Sequence, residues 1–346
     1  MPHITLDDLG WTADFQSQAD EIDPTDPLTA YRLTSVTRTT LHALGVDGPV
    51  RLKLPPETST GEYAVGDWVL ADEFIARHRL TPFSLLQRRA SGPDARSQLM
   101  AANVDTLGIV TACNGDFNIA RLERYITMAA SSDCAVLVIL TRADEVDDTT
   151  PFQRQVEAIS PLVTALTLDA RDTSEVKRLA PWCSTGKTLA LMGSSGVGKT
   201  TLTNGLTGAD LLTGGIREDD ARGRHTSTSR QMLRTLYGGW LIDTPGMRAV
   251  PLSDASDGIE AVFGDISELT GHCKFSDCAH ESEPGCAVQA AVAAGTIDQD
   301  RFARWKKLLA EEAHNTTSLA DARKKDRARE KTYSAGKARS KAKRGG

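Results

Sequence analysis

The chain has 346 residues, with 40 Lys and Arg against 46 Asp and Glu and a formal net charge of −6. Its length argues for two or three domains rather than one, and a hydrophobic content of 40% is enough for real cores. No leader-like segment or long apolar span is visible, so a cytoplasmic protein with no membrane partner is expected.

The charge is unevenly distributed. Residues 1–27 carry seven acids (Asp7, Asp8, Asp14, Asp20, Glu21, Asp23, Asp26) and no Lys or Arg, and are expected to form a flexible acidic arm. Residues 28–97 read as short β-like runs: Tyr31–Thr37, Thr39–Leu44, Val50–Leu54, Asp67–Ala71 and Phe83–Gln87. Turn residues separate them, and Gly66-Asp67-Trp68-Val69 suits the start of a small-barrel strand. Five short strands at this spacing predict an OB-like β-barrel. Arg32, Arg38, Arg51, Lys53, Arg77, Arg79, Arg88 and Arg89 could give it a basic face for nucleic acid. A merely solvated barrel surface fits the sequence equally well.

Residues 98–265 read as an α/β domain. The run Ala135–Leu140 predicts a buried strand, and Thr141-Arg142-Ala143-Asp144 follows it. This resembles the (N/T)-K-x-D motif of GTPases, whose aspartate accepts hydrogen bonds from guanine N1–H and the 2-amino group. Arg142 stands where lysine is usual, and its planar guanidinium can still cover a base face. A plain strand-end loop is the alternative. The next run, Val163–Leu168, ends at Asp169-Ala170. In GTPases a Ser-Ala pair there offers a backbone N–H to guanine O6, and Asp169 replaces that serine.

Another apolar run, Thr188–Met192, leads into Gly193-Ser194-Ser195-Gly196-Val197-Gly198-Lys199-Thr200. This fits the phosphate-loop pattern G-x-x-x-x-G-K-(S/T) at every fixed position, and a helix carrying Thr201 in its first turn follows. The glycines let backbone N–H groups approach phosphate oxygens, and the helix end adds partial positive charge. Lys199 would reach the β- and γ-phosphates, and Thr200 would place its hydroxyl on Mg²⁺. The motif implies a bound nucleoside triphosphate.

Farther on, Gly223-Arg224-His225-Thr226-Ser227-Thr228 is a hydroxyl-rich stretch. Ser/Thr clusters are usually plain loops, but here Thr226 is the candidate to complete the Mg²⁺ shell in a switch loop. Leu241–Gly246 is an apolar strand ending in D-x-P-G. Asp243 would hold Mg²⁺, often through water, and the Gly246 N–H would sense the γ-phosphate; a turn of no catalytic consequence is the alternative. Many GTPases place a glutamine after D-x-x-G to orient the attacking water. Met247 stands there, and His225 is the nearest titratable candidate to position or polarise water. Slow turnover alone is therefore expected, with acceleration when a partner orders the loop.

The order is base motif, phosphate loop, switch loop, D-x-P-G. Ordinary GTPases begin with the phosphate loop. A permuted order is tolerated because ligands sit where loops converge at the carboxyl ends of strands.

Residues 266–320 hold Cys273, Cys278, His280 and Cys286 in the pattern C-x4-C-x-H-x5-C. Thiolate and imidazole ligands this close suit one structural, tetrahedral Zn²⁺. In a reducing compartment clustered cysteines favour metal over disulfides. Cys113, Cys134 and Cys183 lie on or beside apolar runs and read as core residues. Residues 321–346 carry eleven Lys and Arg against three acids, hence +8. They show no apolar periodicity and are expected to be a flexible basic tail suited to phosphate backbones.

Together these motifs, with Ala102-Asn103-Val104-Asp105, resemble the ribosome small-subunit-dependent GTPase A family of circularly permuted GTPases. The resemblance runs from the barrel at residue 28 to a helix near residue 313. It implies a circularly permuted P-loop GTPase domain, an N-terminal OB-like barrel and a C-terminal helical zinc-binding domain. It also implies a monomeric late assembly factor that binds the small (30S) ribosomal subunit and its rRNA with GTP and leaves on hydrolysis. Two other readings stay open on sequence alone: a P-loop ATPase or kinase, and an RNA-binding scaffold whose GTPase site is only a timer.

Overall fold

The computed structural model describes residues 4–22, 28–56, 58–89, 97–209, 230–243 and 255–317. Five strands form the first sheet: β1 (Thr29–Val36), β2 (Leu41–Gly45), β3 (Gly48–Leu52), β4 (Trp68–Asp72) and β5 (Ile75–Arg79). Their order is β3-β2-β1-β4-β5, with antiparallel neighbours. A parallel bridge from Lys53 to Ile75 joins the two edges. There Lys53 N donates to Phe74 O (2.7 Å) and Ala76 N to Lys53 O (2.9 Å). The sheet thus closes into the expected barrel, filled by Leu33, Leu41, Leu52, Val69 and Ala76.

The fifth barrel strand is not Phe83–Gln87. That stretch leads instead into β6 (Leu85–Arg89), which pairs with β7 (Ser97–Ala102) as a separate hairpin. The true fifth strand escapes a pattern search because Ala76 is its sole fully buried side chain. Nor are residues 4–22 a flexible arm. Helix α1 (Ala13–Glu21) buries Phe15, Leu9 is fully buried, and the Trp11 ring meets Trp68 edge-on at 4.8 Å. Gln18 and Thr81 exchange two hydrogen bonds, of 2.7 and 3.1 Å. A few large apolar side chains anchor the segment while most of its acids face water.

The second sheet has the order β10-β9-β8-β11-β13-β12. It contains β8 (Thr106–Ala112), β9 (Ala135–Thr141), β10 (Val163–Thr167), β11 (Thr188–Gly193), β12 (Gln231–Arg234) and β13 (Trp240–Asp243). All neighbours are parallel except the β12–β13 hairpin. Every residue of β8 and β11 is buried, as strands covered on both faces require. The chain winds outward through β8, β9 and β10, then restarts at β11 on the other side of β8. The switch point therefore lies between β8 and β11, where such sheets bind ligands. Helices α2 (Ile119–Ala130), α3 (Thr150–Glu157), α4 (Thr173–Val176) and α5 (Lys199–Thr207) connect or follow these strands.

The barrel and the large sheet are joined by buried polar contacts. Gly66 has φ +92, and a Cβ there would lie 2.2 Å from Ala102 O, so only glycine permits this approach. Asn103 Nδ2 donates to Gly66 O (2.9 Å), and its Oδ1 accepts from Phe83 N (3.1 Å). Within the large sheet, Asp105 accepts from Lys187 Nζ (2.8 Å) and Thr188 N (2.9 Å), holding the start of β8 to that of β11. Arg32 is 1% exposed and belongs to no basic face. It donates to Leu9 O, to Asn103 O (2.9 Å) and to Thr188 Oγ1 (2.8 Å), tying three segments together. Arg79 is also withdrawn, forming a two-pronged pair with the fully buried Asp67 (2.7 and 2.9 Å).

Past the large sheet come α6 (Ser256–Val262), α7 (Gly264–Thr270), α8 (Ala287–Ala293) and a helix over residues 299–317, here α9. The tail from 321 lies outside the described residues.

Candidate active site and metal centre

Loops from β9, β10 and β11 meet at the carboxyl edge of the large sheet, where β13 also ends. The loop after β11 is shaped by glycines. Gly193 has φ +149, and an added Cβ would lie 2.2 Å from Val110 O. Gly196 and Gly198 follow at φ +83 and +94, and Gly198 is the N-cap of α5 with no side-chain cap bond. Lys199 Nζ donates to Gly193 O (2.8 Å) and to Ser194 O, so the ammonium lies across the loop. Val197 is buried, Ser195 and Gly196 are exposed, and Thr200 and Thr201 are half-buried in the first turn of α5.

The loop after β9 braces this one. Thr141 is fully buried, and its hydroxyl donates to Val197 O (2.7 Å), with Thr111 O 3.1 Å away. Arg142, at φ +58, donates through Nη2 to Gly196 O (2.8 Å) and pairs with Glu145 (3.1 Å). Arginine in the lysine position therefore still reaches the phosphate loop. Asp144 is a partly exposed carboxylate held by Arg171 Nη2. Arg171 follows Asp169-Ala170 in the loop after β10 and also pairs with Asp169 (3.2 Å). The Arg171 N–H donates to Asp169 (2.9 Å), and this, with the guanidinium, holds the carboxyl below the usual range. Arg171 thus rests on both acids of the candidate base pocket. Sequence reasoning passed over it, although it adjoins the Asp169-Ala170 pair.

Strand β13 ends at Asp243, in register with Leu191 of β11. Burial raises its carboxyl above the usual range, and the Lys199 ammonium works against that shift. His225, Thr226, Gly246 and Met247 lie outside the described residues. One contact had no sequence signal. Arg121 of α2 donates through Nη1 to Ser194 Oγ across a separation of 73 residues, while Asp116 accepts from its Nη2 (3.3 Å).

The second site is the Cys₃His cluster. The ligand atoms of Cys273, Cys278, His280 and Cys286 all lie within 4.8 Å of one another. Cys273 Sγ is 3.6 Å and Cys286 Sγ 3.5 Å from His280 Nδ1, and the two sulfurs are 3.9 Å apart. Those are the separations of groups sharing a tetrahedral ion with bonds of about 2.0–2.3 Å. His280 sits at φ +57, and its carbonyl accepts from Gln289 Nε2 (2.7 Å). The set fits a metal ion.

A glycine-shaped phosphate loop on a central strand, a Thr-x-x-Asp loop bracing it, and a sheet whose chain begins three strands before that loop define a circularly permuted P-loop GTPase. Comparison with known proteins agrees. The family described as RsgA GTPase matches residues 82–253. The small ribosomal subunit biogenesis GTPase RsgA of Mesorhizobium japonicum is 47% identical over 318 residues, covering 90% of this chain and 91% of the relative. RsgA 2 of Vibrio parahaemolyticus is 41% identical, covering 93% and 90%. Among solved structures, YjeQ from Thermotoga maritima superposes with a TM-score of 0.59 at 23% identity, over 82% of this chain and 98% of that one. The circularly permuted GTPase YloQ gives 0.55 at 20% identity, over 84% and 96%. The chain belongs to the RsgA GTPase family and is a GTP-hydrolysing enzyme.

Proposed function

We propose that this GTPase is a late maturation factor of the small (30S) ribosomal subunit, working as a cytoplasmic monomer. It binds the nearly finished particle and its rRNA with GTP and leaves when GTP is hydrolysed. One observation carries the reading: 47% identity to a small-subunit biogenesis GTPase over 90% of this chain, long enough to take in barrel, GTPase domain and Cys₃His module.

The site residues divide the work. Asp144 accepts from guanine N1–H and the 2-amino group once Arg171 turns away, while Thr141 and Arg142 brace the phosphate loop. Backbone N–H groups of residues 193–198 and the start of α5, including Thr201, cradle the phosphates. Lys199 moves from the loop carbonyls to the β- and γ-phosphates. Thr200 and Thr226, with Asp243, would hold Mg²⁺, which would supply neutralisation of phosphate charge. Gly246 senses the γ-phosphate, and His225 positions the attacking water in place of the usual glutamine. Cys273, Cys278, His280 and Cys286 hold one Zn²⁺ as a closed structural site.

For RNA, the barrel offers exposed Arg38, Arg51, Lys53 and Arg77, with Phe74 58% exposed beside Lys53. Cations for phosphates and a free ring for a base are what single-stranded RNA binding uses. The basic tail adds sequence-independent phosphate contacts. The test is GTP hydrolysis by the full chain titrated with purified small and large subunits. Small subunits alone should accelerate it; equal acceleration by both, or by neither, would overturn the reading.

A further inference from the structure

Helix α2 touches the phosphate loop with one side chain and the C-terminal module with the next ones. Asn118 caps the helix, its Oδ1 accepting from Arg121 N (2.9 Å). Arg121 itself is steadied by Asp116 and donates to Ser194 Oγ in the phosphate loop. Two residues on, Glu123 is fully buried. Its carboxylate accepts from Arg304 Nε (2.6 Å) and Arg301 Nη1 (3.5 Å), both on α9. Arg124 forms a two-pronged pair with Glu311, also on α9. Arg301 donates further to Asp265 (2.8 Å) and Val262 O (3.0 Å), and lies 4.7 Å over the Phe263 ring.

Three residues within about one turn of helix thus hold two different bodies. A buried carboxylate left without its cations is costly, so Glu123 fixes α2 against α9. A helix does not bend over one turn, so fixing Glu123 and Arg124 also fixes where Arg121 points. One turn beyond Arg301, α9 also reaches the metal cluster, where the Trp305 ring lies 5.6 Å from that of His280. A continuous path of packed groups runs from the Cys₃His loop to Ser194. It ends at the loop that follows β11.

The geometry points to Arg121 as a positioning residue of the phosphate loop, its placement set by the docking of α9 on Glu123 and Arg124. Nucleotide affinity then depends on how the C-terminal module is seated, and the seating depends on nucleotide to the same degree, because coupling between two equilibria is reciprocal. The inference rests on the guanine-nucleotide reading of the loop, which binding by the parent protein checks separately.

The experiment is a double-mutant cycle on the full chain, read by fluorescent GDP and a fluorescent non-hydrolysable GTP analogue. Arg121→Ala should weaken binding about tenfold, one charge-assisted hydrogen bond, with an unchanged melting transition. Arg121→Lys should recover part of the loss. Arg304→Ala should weaken binding several-fold in the parent background and add nothing to Arg121→Ala, since its effect passes through that side chain. If Arg304→Ala loses metal or melts early, Glu311→Gln on the partly exposed pair carries the same cycle. An Arg121→Ala chain with parental affinity, or strictly additive losses in the cycle, overturns the coupling. A parent chain that binds no guanine nucleotide overturns the nucleotide reading and the coupling with it.

Discussion

Arg32→Met removes the cation that ties the N-terminal segment, the barrel and the GTPase sheet together. Methionine keeps most of the apolar stem and its contact with Trp68, over which the guanidinium lies at 5.9 Å. What disappears is the donor set for Leu9 O, Asn103 O and Thr188 Oγ1. Each acceptor left buried and unsatisfied costs about 1–2 kcal/mol, so three cost about 3–6 kcal/mol. Relief of the guanidinium's own desolvation offsets part of this. That desolvation lowers the Arg32 pKa to about 10, against the opposing fields of Asp105 and Asp67, so the group remains a cation at neutral pH. A net loss of about 3 kcal/mol is expected, a large share of the stability of an ordinary domain. Urea unfolding followed by tryptophan fluorescence reads it, because Trp11 and Trp68 report on the same junction. Arg38→Met, on the exposed surface of the same barrel, should stay within about 0.5 kcal/mol of the parent. If Arg32→Met costs no more than Arg38→Met, the junction is held by apolar packing and the reasoning fails.

Two further perturbations address the sites. Asp144→Asn should cost about a hundredfold or more in GTP affinity, since two hydrogen bonds from guanine lose their carboxylate, and should shift preference towards XTP; unchanged GTP preference in a competition assay refutes the assignment. Purified protein should contain about one zinc per chain, and Cys278→Ala should lose it and loosen α8 and α9 to proteolysis; metal analysis that finds no zinc in chelator-free preparations rejects the site.

The two sites were legible in the sequence because their chemistry is written in nearly consecutive residues. The phosphate loop needs glycine at 193 and 198 for backbone reasons and Lys199 and Thr200 for chemical ones, so eight residues carry it. The Cys₃His set spans residues 273–286 for the same reason. What the sequence hid was decided by tertiary context. Residues 4–22 look like a solvated arm by charge, yet Trp11 and Phe15 pack on Trp68, fifty or so residues away, and Leu9 joins the same core. Arg32 counts as one more surface cation until the fold encloses it. Strand β5 carries one inward side chain and so leaves no alternation to read.

Permutation gives these hidden contacts a common logic. In the order β10-β9-β8-β11-β13-β12, the strands flanking the phosphate-loop strand are β8 and β13. The chain comes from the barrel into β8, and it leaves β13 for the C-terminal module. Both accessory units are therefore tethered to immediate neighbours of β11. In the ordinary order the phosphate-loop strand is itself the first of the domain, and an N-terminal extension pulls on that strand directly. Here Asn103 locks the barrel onto the start of β8 and Asp105 holds that start against β11, while α2, which follows β8, carries Arg121 to Ser194 and Glu123 to α9. The same strand–helix unit thus touches the barrel, the nucleotide loop and the C-terminal module. The permuted order therefore puts one tether on each side of the phosphate-loop strand, where the unpermuted order puts the first of them on that strand itself.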